Sequence, residues 1–272
     1  MSEYCVVVAV SNPASVDPLT KMGCTLAEAN DGIIKIASVK QTPPQLPAAT
    51  YDEFGSKEEA IIDRALAVAD SFDARTEGVT PFSRDTAESI VSLIDRVDAS
   101  ALLVGASELT PFKESWLGRS LIETITERVT CDVYAERIGP GLAVPGGSIL
   151  VPIADGTHAD AVVRVATDIG RVHDMRVELV TVVSPTADPQ TISRSEKRLG
   201  AHVPDGSDPT VQTDVVLGDS IVATLVELTG DHDVTVLGAT EQSSFEQLLS
   251  GTIPTALARR SRNPLVLVNS SS

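Results

Sequence analysis

Short apolar runs bounded by turn-forming residues punctuate the chain: YCVVVAV, GIIKIASV, ASALLVGA and CDVYAERI in the first half, then SILVPI, VELVTVV, DVTVLGA and PLVLV in the second. Runs of this length, β-branched or otherwise apolar on both alternations, predict strands buried on both faces of a parallel sheet. Helical stripes lie between them. Ile62, Ala65, Leu66 and Ala69 form one, Ala87, Ile90, Val91 and Ile94 another, and Val162, Val165, Ala166 and Ile169 a third, all spaced i, i+3, i+4, i+7. Strand alternating with helix requires crossover connections, so the pattern predicts an α/β fold with doubly wound, mostly parallel, Rossmann-like sheets.

The two halves also match each other. Gly105 and Gly118 stand at the same spacing as Gly238 and Gly251; each first glycine ends an apolar strand and each second glycine precedes an amphipathic stretch. An internal duplication explains this most simply. Glycine and proline cluster in GPGLAVPGGS, Gly139 to Ser148, the composition of a linker. The expected division is residues 1–144 and 145–272, and a length of 272 residues suffices for two cores.

Charge then narrows the partners. The formal net charge is −17, and Lys21, Lys35, Lys40, Lys57, Lys113 and Lys197 are the only lysines. No basic stripe is available to displace counterions from nucleic acid or to meet anionic lipid. A hydrophobic content of 42% argues for a folded chain rather than an acidic disordered one. A carboxylate-rich surface suits a salt-rich, halophile-like cytoplasm, where screening weakens self-repulsion. The sequence lacks an apolar run long enough to span a bilayer, and MSEYCVVVAV lacks the pattern of a signal peptide, so a cytoplasmic, soluble protein is expected. Cys5, Cys24 and Cys131 form no CxxC pair and are expected to be buried and inert; His158, His173, His202 and His232 show no HExxH spacing, and no metal site is expected.

Each half therefore ends in a short strand closed by glycine, a long loop, a Gly-Ser/Thr-type helix start and a last strand of the PLVLV kind. In this the chain resembles the universal stress protein family, in tandem form and over its whole length. ILVPIADGTHADAVV is similar to the family's opening strand and first helix, and VLGDSIVATLVEL to its third strand and helix. LGATEQSSFEQLLSGTIPTALAR is most similar to universal stress domains associated with archaeal membrane transporters. The resemblance implies two five-stranded domains of the adenine nucleotide alpha hydrolase type. It also implies that they pair through their last strands, Cys131 to Arg137 and Pro264 to Val268, which would cover two sheet edges.

The resemblance further implies an adenine nucleotide, ATP or AMP with Mg²⁺, held by a pattern of glycine, two residues, glycine, nine residues, glycine and Ser/Thr. In the second half this maps to Gly238, Glu241 in place of the middle glycine, Gly251 and Thr252. In the first half it maps to Gly105, Glu108 again in place of glycine, Gly118 and Arg119, with Ser120 one place late. Asp155 stands one residue late for the family's nucleoside-binding aspartate, and Val182 for the strand end that offers peptide groups to a base. In the first half Ser11-Asn12-Pro13 lacks that carboxylate.

Physically, glycines let a loop approach phosphate, and a helix N-terminus supplies N–H donors. A glutamate in the middle position adds a carboxylate there. At about 4 Å and an effective dielectric near 20 it would cost on the order of 4 kcal/mol per charge pair. A Glu side chain turned to solvent costs much less, and a bound Mg²⁺ reverses the sign. Competing local readings stand beside each site residue: Ser120 with Glu123 fits a capping box, Thr252 with Pro254 fits a plain helix start, and Asp155-Gly156 fits a turn with Thr157 and Asp160 capping the next helix.

No GxSxG elbow, GxxxxGK[ST] loop or GxGxxG turn is present, so no catalytic residue is assigned. The leading expectation is a non-catalytic stress or regulatory protein that acts by binding. Its partner would be a protein, a membrane transporter among the candidates, or a second copy in a homodimer, with nucleotide sensing in the second domain. The alternative is an ATP-binding switch or slow ATPase built on Gly238, Gly251 and Thr252.

Overall fold

The computed structural model describes residues 3–41, 56–105, 121–137, 146–154, 159–206, 209–238, 253, 256–257, 260–261 and 263–270. Gly118, Ser120, Asp155, Gly251 and Thr252 lie outside them, as do Glu108, Arg119 and Glu241. The chain divides into two compact units, Met1–Ala135 and Glu136–Ser270.

The first unit runs β1 (Cys5–Ala9), a single 3-10 turn (Pro13–Ser15), α1 (Val16–Ala29), β2 (Ile33–Ala37), β3 (Lys40–Gln41), α2 (Ser56–Ala69), β4 (Arg75–Val79), β5 (Phe82–Ser83), α3 (Thr86–Val97), β6 (Ala101–Gly105), α4 (Leu121–Thr126) and β7 (Asp132–Arg137). Its sheet has the order β7-β6-β1-β2-β4. The pairings of β1 with β2, β1 with β6 and β2 with β4 are parallel, with Val6 opposite both Ile34 and Ala101. All residues of β1 and β6 are buried, as expected of central strands with helices over both faces. α1 packs on β1, β2 and β6 so closely that a Cβ on Gly23 would come within 2.5 Å of Val8 Cγ2 and 2.6 Å of Ile34 Cδ1. Asp85 caps α3 by accepting from the Glu88 N–H at 3.1 Å.

The second unit repeats the plan: β8 (Ser148–Pro152), α5 (Ala159–His173), β9 (Arg176–Val183), α6 (Pro189–Ala201), β10 (Val211–Leu217), α7 (Ile221–Leu228), β11 (Val234–Gly238) and β12 (Leu265–Asn269). The order is β10-β9-β8-β11-β12, again parallel at the pairings of β8, β9, β10, β11 and β12. α5 buries Val162, Val165, Ala166 and Ile169, the stripe expected from the sequence, against β8, β9 and β11. The three helical stripes and the eight apolar runs are all helices and strands in the structure.

The elements that the apolar pattern leaves out are instructive. β4 (RTEGV) and β10 (VQTDVVL) are polar and largely exposed because they are edge strands, where charge deters further pairing. The unit division falls within β7, ahead of the Gly/Pro-rich stretch where the sequence suggests a linker. Arg137, grouped with the second unit, donates through Nη2 to Ser261 O at 2.6 Å and Asn263 O at 2.8 Å.

Candidate functional site

In the second unit the strand order reverses at β8: β9 lies on one side and β11 on the other. Beyond the carboxyl ends of parallel strands, such a switch point opens a crevice, since successive crossovers leave in opposite directions. A cavity of about 160 Å³ is found there. Pro152, Ile153 and Ala154 line it from the end of β8, Val180, Thr181 and Val182 from β9, Leu237 and Gly238 from β11, Ile221 and Leu225 from α7, with Ile253 beside them.

Two sequence-predicted residues, Val182 and Gly238, are thus brought to one cavity. Two others lie outside the described residues, but their chain neighbours line it: Ala154 precedes Asp155, and Ile253 follows Thr252. No charged side chain is among the described lining residues, and Thr181 carries the one hydroxyl. That hydroxyl accepts from Arg198 Nη2 at 3.0 Å.

Backbone direction adds the polar element. Val180 O accepts from Ile153 N at 2.8 Å, so the peptide groups of Val180 face β8. Alternation along a strand turns those of Val182 the same way, and the β8–β9 pairing ends at Pro152 opposite Val180. The N–H and C=O of Val182 therefore point past the end of β8, toward the cavity. A flat, uncharged group with donors and acceptors along its edge meets these demands, and a cavity of about 160 Å³ has room for a small ring system rather than a drug-sized ligand, whose sites start near ~300 Å³.

The sequence profile of the universal stress protein family matches residues 5–136 and again residues 147–269. The chain belongs to the universal stress protein family. Among solved structures, a universal stress protein from Archaeoglobus fulgidus DSM 4304 is similar at 15% identity and a TM-score of 0.66, over 99% of this chain and 97% of that one. A putative universal stress protein from Pseudomonas aeruginosa UCBPP-PA14 is 13% identical with a TM-score of 0.61, over 99% and 94% of the two chains. A functionally unknown protein from Pseudomonas aeruginosa PAO1 is 13% identical with a TM-score of 0.60, over 99% and 93%. At these identities the likeness is one of fold. No curated protein matches in sequence.

The two universal stress repeats differ at the corresponding points. In the first, Gly105 closes β6 as Gly238 closes β11, but Asn12, where a carboxylate would be wanted, folds its exposed side chain back onto its own turn to accept from the Ala14 N–H at 3.0 Å. That amide oxygen is committed to the turn at Pro13–Ser15. In the second repeat, Asp160, weighed from sequence as a helix cap, lies 2.8 Å from His202 Nδ1.

Ile221 and Leu225 were not singled out from sequence. Apolar residues run around most of SIVATLVEL, so periodicity does not single out the face that meets a cavity. The cysteines are buried; burial pushes the Cys24 thiol up to about 12 and the Cys131 thiol up to about 11. Among the described residues no group of His, Cys, Asp and Glu is placed to hold a metal ion, and no helix is long and apolar enough to cross a membrane.

Proposed function

We propose that this universal stress protein is a non-catalytic regulator whose second domain binds an adenine nucleotide, with the base in the cavity at the ends of β8, β9 and β11. The observation that carries the reading is the convergence of Val182 and Gly238 on one apolar cavity toward which the Val182 peptide groups point. In this reading the peptide edge of Val182 meets the base, Asp155 meets the ribose, and Gly251-Thr252 at a helix start meets the phosphates with Mg²⁺. The first domain acts as scaffold. Its Asn12 supplies no carboxylate, and Arg119 stands where the phosphate loop calls for Ser or Thr. The output is binding to a protein partner, with a membrane transporter as the candidate that the sequence resemblance favours.

The test is thermal unfolding in potassium chloride with ATP or AMP, with and without Mg²⁺. A ligand at about a hundred times its Kd stabilises by roughly 2.7 kcal/mol, a shift of a few degrees for a chain of this size. The expected result is a shift abolished by Gly251→Glu and kept in Gly118→Glu, with no phosphate released from ATP over the same period. Absence of any shift, together with no nucleotide freed on denaturing the purified protein, would sink the proposal.

A further inference from the structure

On the opposite side of α7 lies a second concavity. It occupies about 470 Å³ between the end of β10 and α7. Leu217, Ala223 and Leu228 supply apolar wall, Asp219, Glu227 and Asp231 supply carboxylates, and no Lys, Arg or His is among the described lining residues. α7 is therefore a partition. Ile221 and Leu225, one helical turn apart, face the strand-end cavity, whereas Ala223 and Glu227, equally spaced, face the groove.

Two features mark the groove as incomplete in the isolated chain. Among the described residues Phe82, Leu217 and Ile221 are the large apolar side chains left exposed, and Leu217 is the one that lines the groove. Along α7 (IVATLVEL) Leu225 is the one fully buried residue, and Ala223 and Glu227, on the groove side, stand exposed. Gly218 keeps the wall tight, because a Cβ there would run into the Thr224 hydroxyl.

We propose that this groove docks a short segment of a partner protein in which apolar anchors are flanked by lysine or arginine. The carboxylates at Asp219, Glu227 and Asp231 demand positive charge, and the exposed Leu217 and the walls of Ala223 and Leu228 demand apolar anchors. A second copy of the chain, a nucleic acid or an anionic membrane would each bring further negative charge to a protein of net charge −17. The docking surface stands independently of the nucleotide reading, since Leu217, Asp219, Ala223, Glu227, Leu228 and Asp231 line the groove and not the strand-end cavity.

The experiment measures fluorescence anisotropy of three dye-labelled peptides on the full chain without nucleotide. The first alternates leucine and lysine, the second has glutamate for lysine, and the third has serine for leucine. Saturable binding of the first alone is expected, weakened about tenfold or more both by Leu217→Ser and by Glu227→Gln combined with Asp231→Asn, and weakened again by added salt. Circular dichroism and melting curves check that the variants fold; should Leu217→Ser unfold the chain, Ala223→Arg at an exposed position must show the same loss. Binding that survives these substitutions is general attraction to an acidic surface and overturns the proposal. So does equal binding of the glutamate or serine peptide, or no binding at all. Self-association seen by sedimentation and abolished by Leu217→Ser would give the groove to a second copy and overturn the assignment equally.

Discussion

His232 Nε2 stands 2.9 Å from Glu178 Oε2 while its Nδ1 stands 2.8 Å from Leu228 O. The imidazole is buried and ties β9 to the C-terminal end of α7. Asn263 extends the tie by donating through Nδ2 to Thr229 O at 2.9 Å and to His232 O. The helix that walls both the cavity and the groove is thus anchored at one end by side chains from distant parts of the second unit. His232→Ala is expected to lower stability by about 1–3 kcal/mol, since it removes the Glu178 carboxylate's partner and the side-chain contact to Leu228 O, which keeps only the Asp231 N–H at 3.1 Å. Hydrogen exchange should rise over residues 221–228 before the rest of the unit. Unchanged melting and unchanged exchange would show that α7 is held by packing alone.

Glu136 makes stability depend on pH. Its side chain is buried on β7, Oε2 has no hydrogen-bond partner among the described residues, and burial pushes the carboxyl up to about 8 from 4.5. Below about 4.5 folded and unfolded chains both hold the proton. Between about 4.5 and 8 only the folded chain holds it, so stability falls as pH rises through that window and levels off above it. The difference is on the order of 5 kcal/mol as an upper bound. Glu136→Gln, uncharged at every pH, should flatten this decline in urea titrations run from pH 5 to 9. A parent and variant with parallel profiles would exclude the effect.

The thiols should be silent in the native state. With Cys24 held near 12 and Cys131 near 11 by burial, neither forms thiolate at pH 8, and the Cys5 thiol is raised in the same direction by the same cause. Reaction with a disulfide reagent at pH 8 is expected only at the rate of unfolding, and to become immediate in denaturant. Fast labelling of the folded chain would contradict it.

Gly23 is set by contact rather than by a turn. Alanine there would press on Val8 and Ile34 at the centre of the first sheet, so Gly23→Ala should cost about 1–3 kcal/mol despite alanine's better helix propensity. Gly200→Ala in α6, where an added Cβ meets nothing within 4 Å, serves as the contrast and should be neutral or slightly stabilising. Equal effects of the two would show that helix propensity decides both.

Much of the fold was legible because central parallel strands must be apolar on both faces, and the runs around Val7, Leu102, Leu150 and Val236 can be nothing else. The edge strands were not, since Arg75, Glu77 and Asp214 belong to positions half in water, where composition resembles that of a loop. α1 escaped for a related reason: its buried set includes Thr20, Gly23 and Thr25, which blur the stripe. Of the candidate site, Val182 and Gly238 were readable through the repeat and the family motif. Ile221 and Leu225 were not, because apolar residues run around most of α7 and do not single out the side that faces a cavity.

By itself the sequence determined the strand and helix alternation, the duplication, the acidic surface and the glycine spacing, because each is a property of residues near one another along the chain. Tertiary structure alone decided that Val182 and Gly238 share a cavity with Leu225, and that Leu217 stays exposed beside three carboxylates. These depend on which strand lies beside which and where each ends, and such pairings are selected by the burial of the whole sheet rather than by any one segment.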